Sequence, residues 1–363
     1  MAERGKPLSY GEYLRLETLL DCQHPESARV GEAVHDELLF IVVHQAYELW
    51  FKQILHELDA VRRIFARSTV AERDVGRAVS HLGRIVAIQR LMLAQVDVLE
   101  TMTPLDFLEF RGLLAPASGI QSLQFRLVEN KLGIPAASRI EIEGTRYTAY
   151  FGEEERRRIE ASEREASLLA LVDGWLARTP FLRVGDFDFW REYRQAVDAM
   201  LGAERGRIEK DPDLEPADRA RRLARFAGTE ATFEALFDAA RHEALRREGR
   251  RRLSHRALLA AVLINLYRDE PILHLPYRLL TTLMDVDEGF TNWRYRHALM
   301  VLRMIGTKMG TGGTSGVDYL RETAEKHKVF LDLFDLSTYL IPRSALPTLP
   351  PEVQSTMSFR YSG

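Results

Sequence analysis

The chain reads as an all-α protein. Apolar residues recur at three- and four-residue spacing through most of its 363 residues, and alternating apolar–polar strand patterns are nearly absent. No internal repeat or low-complexity linker divides the sequence, so a helical bundle with a helical insertion is the expected architecture.

The elements follow in order. A long helix is predicted from about His35 to Ala66, opened by Asp36 and Glu37 at its positive end. Within it His44, Tyr47, Phe51, Ile54 and Leu58 form one apolar stripe. A second long helix covers about Asp74 to Glu100, with Val75, Val79, Leu82, Val86 and Leu93 inward. A short helix after Pro104 carries Leu105, Leu108 and Arg111; the phrase APASG, Ala115–Gly119, then breaks the chain before a helix over Gln121–Leu132. Periodicity lapses from Pro135 to Thr148, which reads as a loop.

Charged helices are predicted over Glu153–Arg178, Phe187–Lys210 and Glu215–Arg247, a peripheral excursion at about 150–250 within a single domain spanning 1–363. Its basic run RREGRRR, Arg246–Arg252, lacks interleaved aromatics and reads as a solvated helix end. Ser254 is the expected N-cap of HRALLAAVLINLY. A helix near Pro276–Asp285, a separate one bearing His297, and one from about Gly316 to Phe334 complete the core. The closing segment, with Pro342, Pro347, Pro350 and Pro351, is expected to run extended over the surface.

Composition excludes several classes. A net charge of −3 gives no basic excess for nucleic acid. Cys22 is the only cysteine, which rules out an intrachain disulfide or a cysteine-ligated cluster. The N-terminus has no apolar signal region and no run is long enough to span a bilayer, so the expected location is cytoplasmic, with no membrane partner. No GxSxG, P-loop or GxGxxG is present. The stretch His24-Pro25-Glu26 has the form of a non-haem iron motif, but it lies in a predicted loop rather than on a rigid element.

Three residues stand out. His297 shares a helix face with Trp293, Met300, Val301 and Met304 at about 100° per residue. An imidazole among thioethers and an indole suits an axial haem ligand, or else a core histidine satisfied by the backbone. The loop GTGGTSG, Gly310–Gly316, follows it with hydroxyls at Thr311, Thr314 and Ser315. His44 lies one turn after Phe40 on an apolar stripe, either bonded to a backbone carbonyl or facing a bound ligand. Arg111, flanked by Phe107 and Phe110, needs a carboxylate, which is either a substrate's or that of Asp106 or Glu109.

Long phrases carry a resemblance, among them LSYGEYLRLETLLDCQ, HDELLFIVVHQAYELWFKQILHELD, TMTPLDFLEFRGLLAPASGIQSLQFRLVENKLG and WRYRHALMVLRMIGTKMGTGGTSGVDYL. In these, and in their order, the chain resembles the tryptophan 2,3-dioxygenase family. The resemblance implies a haem-dependent dioxygenase, with one haem b per subunit, acting on L-tryptophan and O2 to give N-formyl-L-kynurenine. It implies that His297 is the proximal iron ligand and that His44 is the distal histidine, bonding the indole N–H. Arg111 matches the carboxylate clamp, Thr311 the ammonium site, and Phe40 and Phe107 the indole walls. Ser118 matches a serine near the haem. Tyr10, Tyr13 and Leu14 match an N-terminal segment, within residues 1–30, that reaches a neighbouring subunit of a homotetramer. Two positions depart from the family: Thr314 stands where serine is expected and Ile120 where phenylalanine is usual. They leave open a haem dioxygenase for a substituted tryptophan or other indole. A non-catalytic haem or tryptophan sensor is the alternative from another class.

Overall fold

The computed structural model describes residues 7–140, 145–306, 308 and 316–358. Thr311, Thr314 and Ser315 lie outside the described residues. Three long helices form the frame: His35–Phe65 with 31 residues, Glu72–Leu99 with 28 and His274–Ile305 with 32. They pack side by side, and the Leu123–Leu132 helix lies against the first of them. Their inward stripes, including Val43, Phe51, Ile54, Leu82, Met92, Leu283 and Phe290, merge into one buried apolar cluster. Burial of this kind, rather than helix propensity, stabilises such helices. Among the described residues the strands are Arg183–Val184 and Phe187–Asp188, an antiparallel hairpin turning at Gly185.

Local chemistry sets the ends. Asp36 and Glu37 occupy the first turn of the His35–Phe65 helix, and the buried Glu37 carboxylate accepts the backbone N–H groups of Glu26 and Ser27 at 2.8 and 2.9 Å. Thr103 caps the Pro104–Arg111 helix reciprocally with Asp106. Ser254 caps His255–Leu266 by accepting the Ala257 N–H at 3.3 Å.

Several predicted boundaries move. The helices expected at Pro276–Asp285 and around His297 are one continuous helix. Pro276 sits in its first turn, where a missing N–H costs nothing. Gly289, in its middle, lets the Glu72–Leu99 helix approach closely: a Cβ there would lie 2.5 Å from Gln89 Oε1, and Gln89 Nε2 donates to the Val286 carbonyl at 2.8 Å. Conversely, Glu153–Arg178 is two helices, Glu153–Arg164 and Leu168–Leu176, the second capped by Ser167. Glu215–Arg247 divides at Asp238, which caps Ala239–Arg247. Gly316–Phe334 divides into Gly316–Lys326 and Leu331–Phe334. Short 3-10 turns at Ala136–Ser138 and Tyr147–Tyr150 interrupt the predicted loop, and Pro351–Met357 forms a helix within the closing segment.

The basic run is only partly a solvated end. Arg246, Arg247 and Arg250 are exposed, but Arg251 pairs with Asp332 at 3.2 Å and Asp335 at 2.7 Å. The charged 150–250 stretch also contributes to the main core, since Phe189, Tyr193, Val197, Phe233 and Leu236 belong to the same buried cluster.

Candidate active site

A cavity of about 320 Å³ opens between the His35–Phe65 and His274–Ile305 helices, within the range of small-molecule sites. One wall carries Phe40, His44, Phe107, Arg111, Ser118 and Ile120; the other carries Trp293, His297, Met300, Val301 and Met304. The structure thus gathers five of the sequence-selected residues, Phe40, His44, Phe107, Arg111 and Ser118, opposite His297.

The two histidines are held differently. His44 Nδ1 lies 2.7 Å from the Phe40 carbonyl oxygen, so it carries the proton and donates, which leaves Nε2 as an acceptor. Its ring lies 4.0 Å from that of Phe40, which stacks in turn on Phe107 at 5.6 Å. Burial lowers the His44 pKa by more than the Phe40 carbonyl and Glu48 raise it, so the ring is neutral near pH 7. The carbonyl bond and the cavity position therefore coexist at His44.

Neither ring nitrogen of His297 has a hydrogen bond among the described residues. Trp293 stacks on it at 5.6 Å and 16°, and the Trp293 Nε1 is itself buried without a partner among those residues. Burial, helped by His44 across the cavity, pushes the His297 pKa down to about 4. A neutral imidazole on an apolar wall, with no hydrogen bond among the described residues, is poised to donate a lone pair. No group of three or more His, Cys, Asp or Glu side chains able to hold a metal occurs among the described residues. A lone histidine suits a metal whose other ligands come from a macrocycle, so these residues fit a haem better than a bare ion.

Arg111 closes the Pro104–Arg111 helix, beside Phe107 and Phe110. Asp106, one carboxylate considered for it, is engaged by Thr103 instead. Ser118 caps the turn Gly119–Gln121, its backbone N–H donating to Gln121 Oε1 at 3.0 Å. Tyr10, Tyr13 and Leu14 form a short helix away from the cavity, with 75%, 73% and 40% of their surface exposed.

Sequence reasoning missed the polar residues at the cavity's inner end: Glu48, Arg126, Glu129, Arg294, Tyr319 and Thr323. Glu48 accepts Ser122 Oγ at 2.6 Å and Gln124 Nε2 at 2.8 Å, tying the segment after Ser118 to the His44 helix. Glu129 is fully buried; burial raises its pKa, but Arg126 and Arg139, the His327 bond and Arg294 hold it well below the usual carboxylate range. Arg126, Glu129 and Asn130 at i, i+3 and i+4 were the available signal, a charged face coinciding with the apolar side of LQFRLVENKL.

A family model described as Tryptophan 2,3-dioxygenase matches residues 1–340. The curated tryptophan 2,3-dioxygenase of Bdellovibrio bacteriovorus is 48% identical over 98% of this chain and 99% of its own length. That of Dictyostelium discoideum is 47% identical over 98% of this chain and 90% of its own. The Xenopus laevis protein of the same name is 48% identical over 95% and 85%. Likeness of this extent, over nearly the whole chain, makes it a member of the tryptophan 2,3-dioxygenase family.

Proposed function

We propose that the cavity between His44 and His297 binds haem b and L-tryptophan, and that the chain performs the reaction for which its relatives are named. Both atoms of O2 enter across the indole C2–C3 bond, giving N-formyl-L-kynurenine. The haem, when bound, supplies the ferrous iron at which O2 reacts with the electron-rich indole. The observation that carries the reading is that a neutral His297, with no hydrogen bond among the described residues, lines the same largely apolar cavity as a His44 whose Nδ1 proton is committed to the Phe40 carbonyl.

His297 would hold the iron through its lone pair. His44, its proton committed to the Phe40 carbonyl, accepts the indole N–H at Nε2 and so orients the ring. Phe40 and Phe107 flank the indole and exclude water. Arg111 meets the substrate carboxylate, Ser118 stands at the amino-acid end, and Thr311, outside the described residues, meets the ammonium group. Clamping both charges of a zwitterion selects an amino acid over a bare indole.

Four exposed N-terminal apolar side chains, Leu8, Tyr10, Tyr13 and Leu14, favour a homotetramer in which this segment covers a neighbouring subunit's site. The chain acts as one domain, with 150–250 as a helical insertion whose inner faces join the main core. No helix among the described residues is long and apolar enough to cross a membrane, and we assign the enzyme to the cytoplasm. Ile120 lines the cavity, which favours a second reading in which a ring-substituted tryptophan is also cleaved.

Ferrous, haem-loaded protein given L-tryptophan and then O2 should yield product at the formylkynurenine absorption band. Haem loading without turnover would leave a sensor instead. Faster turnover of a ring-substituted analogue would favour the second reading.

A further inference from the structure

One turn after His44, a carboxylate joins two parts of the cavity wall. Glu48 follows His44 at i+4 on the His35–Phe65 helix, roughly 6 Å further along the axis and on the same face, and both line the cavity. Ser122 Oγ donates to Glu48 Oε1 at 2.6 Å, and Gln124 Nε2 donates to Glu48 Oε2 at 2.8 Å. The same Gln124 amide donates to the Glu48 backbone carbonyl at 2.7 Å, so it grips side chain and main chain of one residue. Two converging donors need an acceptor at each oxygen, which a carboxylate provides. A glutamine would turn an N–H toward one of them.

Ser122 is a junction. While donating to Glu48, its Oγ accepts the Phe125 N–H at 3.2 Å and so caps the Leu123–Leu132 helix. Its backbone N–H donates to the Gly119 carbonyl at 3.2 Å, closing the turn Gly119–Gln121. At the other end of that turn, the Ser118 carbonyl accepts the Gln121 N–H at 2.9 Å, and the Ser118 N–H donates to Gln121 Oε1 at 3.0 Å. Bonds within the turn fix its shape; the bonds to Glu48 fix where it stands relative to His44. Glu48, Ser122 and Gln124 are all half-buried, and hydrogen bonds to an ionised group are the stronger kind.

We propose that Glu48 is a positioning residue for the substrate site, holding the Ser118–Ser122 turn at a fixed distance from His44 through Ser122 and Gln124. The inference rests on the function proposed above, in which L-tryptophan reaches from His44 at the indole N–H to Ser118 at the amino-acid end. A ligand anchored on both elements is sensitive to their spacing, whereas a bare indole ring lacks the far anchor. Glu48 therefore helps to select an amino acid over its ring alone, by way of the turn rather than by contact with the substrate.

Titrating the haem-loaded protein with L-tryptophan and with 3-methylindole, and reading binding from the Soret band, tests this. Glu48→Gln should weaken L-tryptophan about tenfold relative to 3-methylindole, the factor expected for one charge-assisted bond. Gln124→Met leaves the Ser122 cap in place and should lower the same ratio by roughly threefold. It decides the matter should Glu48→Gln fail to fold. In the Glu48→Gln background Gln124→Met should add little, because both act through one carboxylate. An unchanged ratio in the single variants, equal weakening of both ligands, or additive losses in the double variant would overturn the positioning role while leaving the haem and tryptophan reading intact. Wild-type protein that takes up no haem, or takes up haem but binds no L-tryptophan, would overturn that reading and the positioning role with it.

Discussion

The cavity end and the 150–250 excursion hold their charges in opposite ways. In the excursion, Arg194 meets Glu234 and Arg205 meets Glu230 between the Phe189–Lys210 and Pro216–Phe237 helices, on faces open to solvent. At the cavity, Glu129 collects three guanidinium groups, all of them buried. The first arrangement is screened, replaceable and nearly neutral in free energy. The second is high-stakes, because removing one member strands the others. Charge content alone therefore says little about where a chain is sensitive; burial decides.

The largest expected effect comes from His297→Ala, which should abolish stable haem binding; an unchanged Soret band after gel filtration would break the assignment. Glu129→Gln should come next, costing roughly 3–5 kcal/mol of unfolding free energy as three buried cations lose their shared anion. Urea unfolding of the haem-free protein measures it, and a loss as small as that of a surface pair would erase the contrast. The same carboxylate predicts an acid transition. Its folded pKa is depressed, so its contribution is full above the ordinary value of 4.5 and is lost as pH falls below it toward the folded value. Glu129→Gln should blunt the fall in stability below pH 4.5. Arg111→Ala should raise the KM for L-tryptophan about thirtyfold or more, corresponding to ~2 kcal/mol of lost charge pairing. An unchanged KM would remove Arg111 from the substrate. The smallest effect is expected for Arg194→Gln, with unfolding midpoint, haem content and KM all at wild-type values.

The same contrast explains what the sequence made legible. The long helices were visible because Tyr47, Phe51, Ile54 and Leu58, or Val75, Val79 and Leu82, repeat with the helical period and are buried accordingly. His44, Arg111 and His297 were visible because each is a polar group in apolar company. The continuity of His274–Ile305 was not, because Asp285, Asp287 and Glu288 interrupt the apolar period. Asp287 is accommodated there by backbone N–H groups from a segment some forty residues away, with Arg294 and Arg252 nearby. Arg126 and Glu129 were hidden for a related reason. A charged residue on an amphipathic helix reads as solvent-facing, and only the arrival of Arg139, Arg294 and His327 from other elements makes its burial possible. Arg251 was misread in the same way, since its partners Asp332 and Asp335 are eighty residues distant in sequence.

The close approach at Gly289 has an evolutionary consequence. There the Gln89 amide of the Glu72–Leu99 helix occupies the space of a missing side chain, eight residues before His297 on the same unbroken helix. A larger residue at 289 would have to displace the buried Gln89 amide from its bond to the Val286 carbonyl, so this part of the His297 wall has little room to drift. The opposite wall hangs partly on short turns, Gly112–Leu114 and Gly119–Gln121, the second capped by Ser118 and centred on Ile120. Turns accept substitution far more readily than packed helices do. New ring preferences should therefore arise by changes around Ile120, while the His297 wall passes unchanged from one descendant to the next.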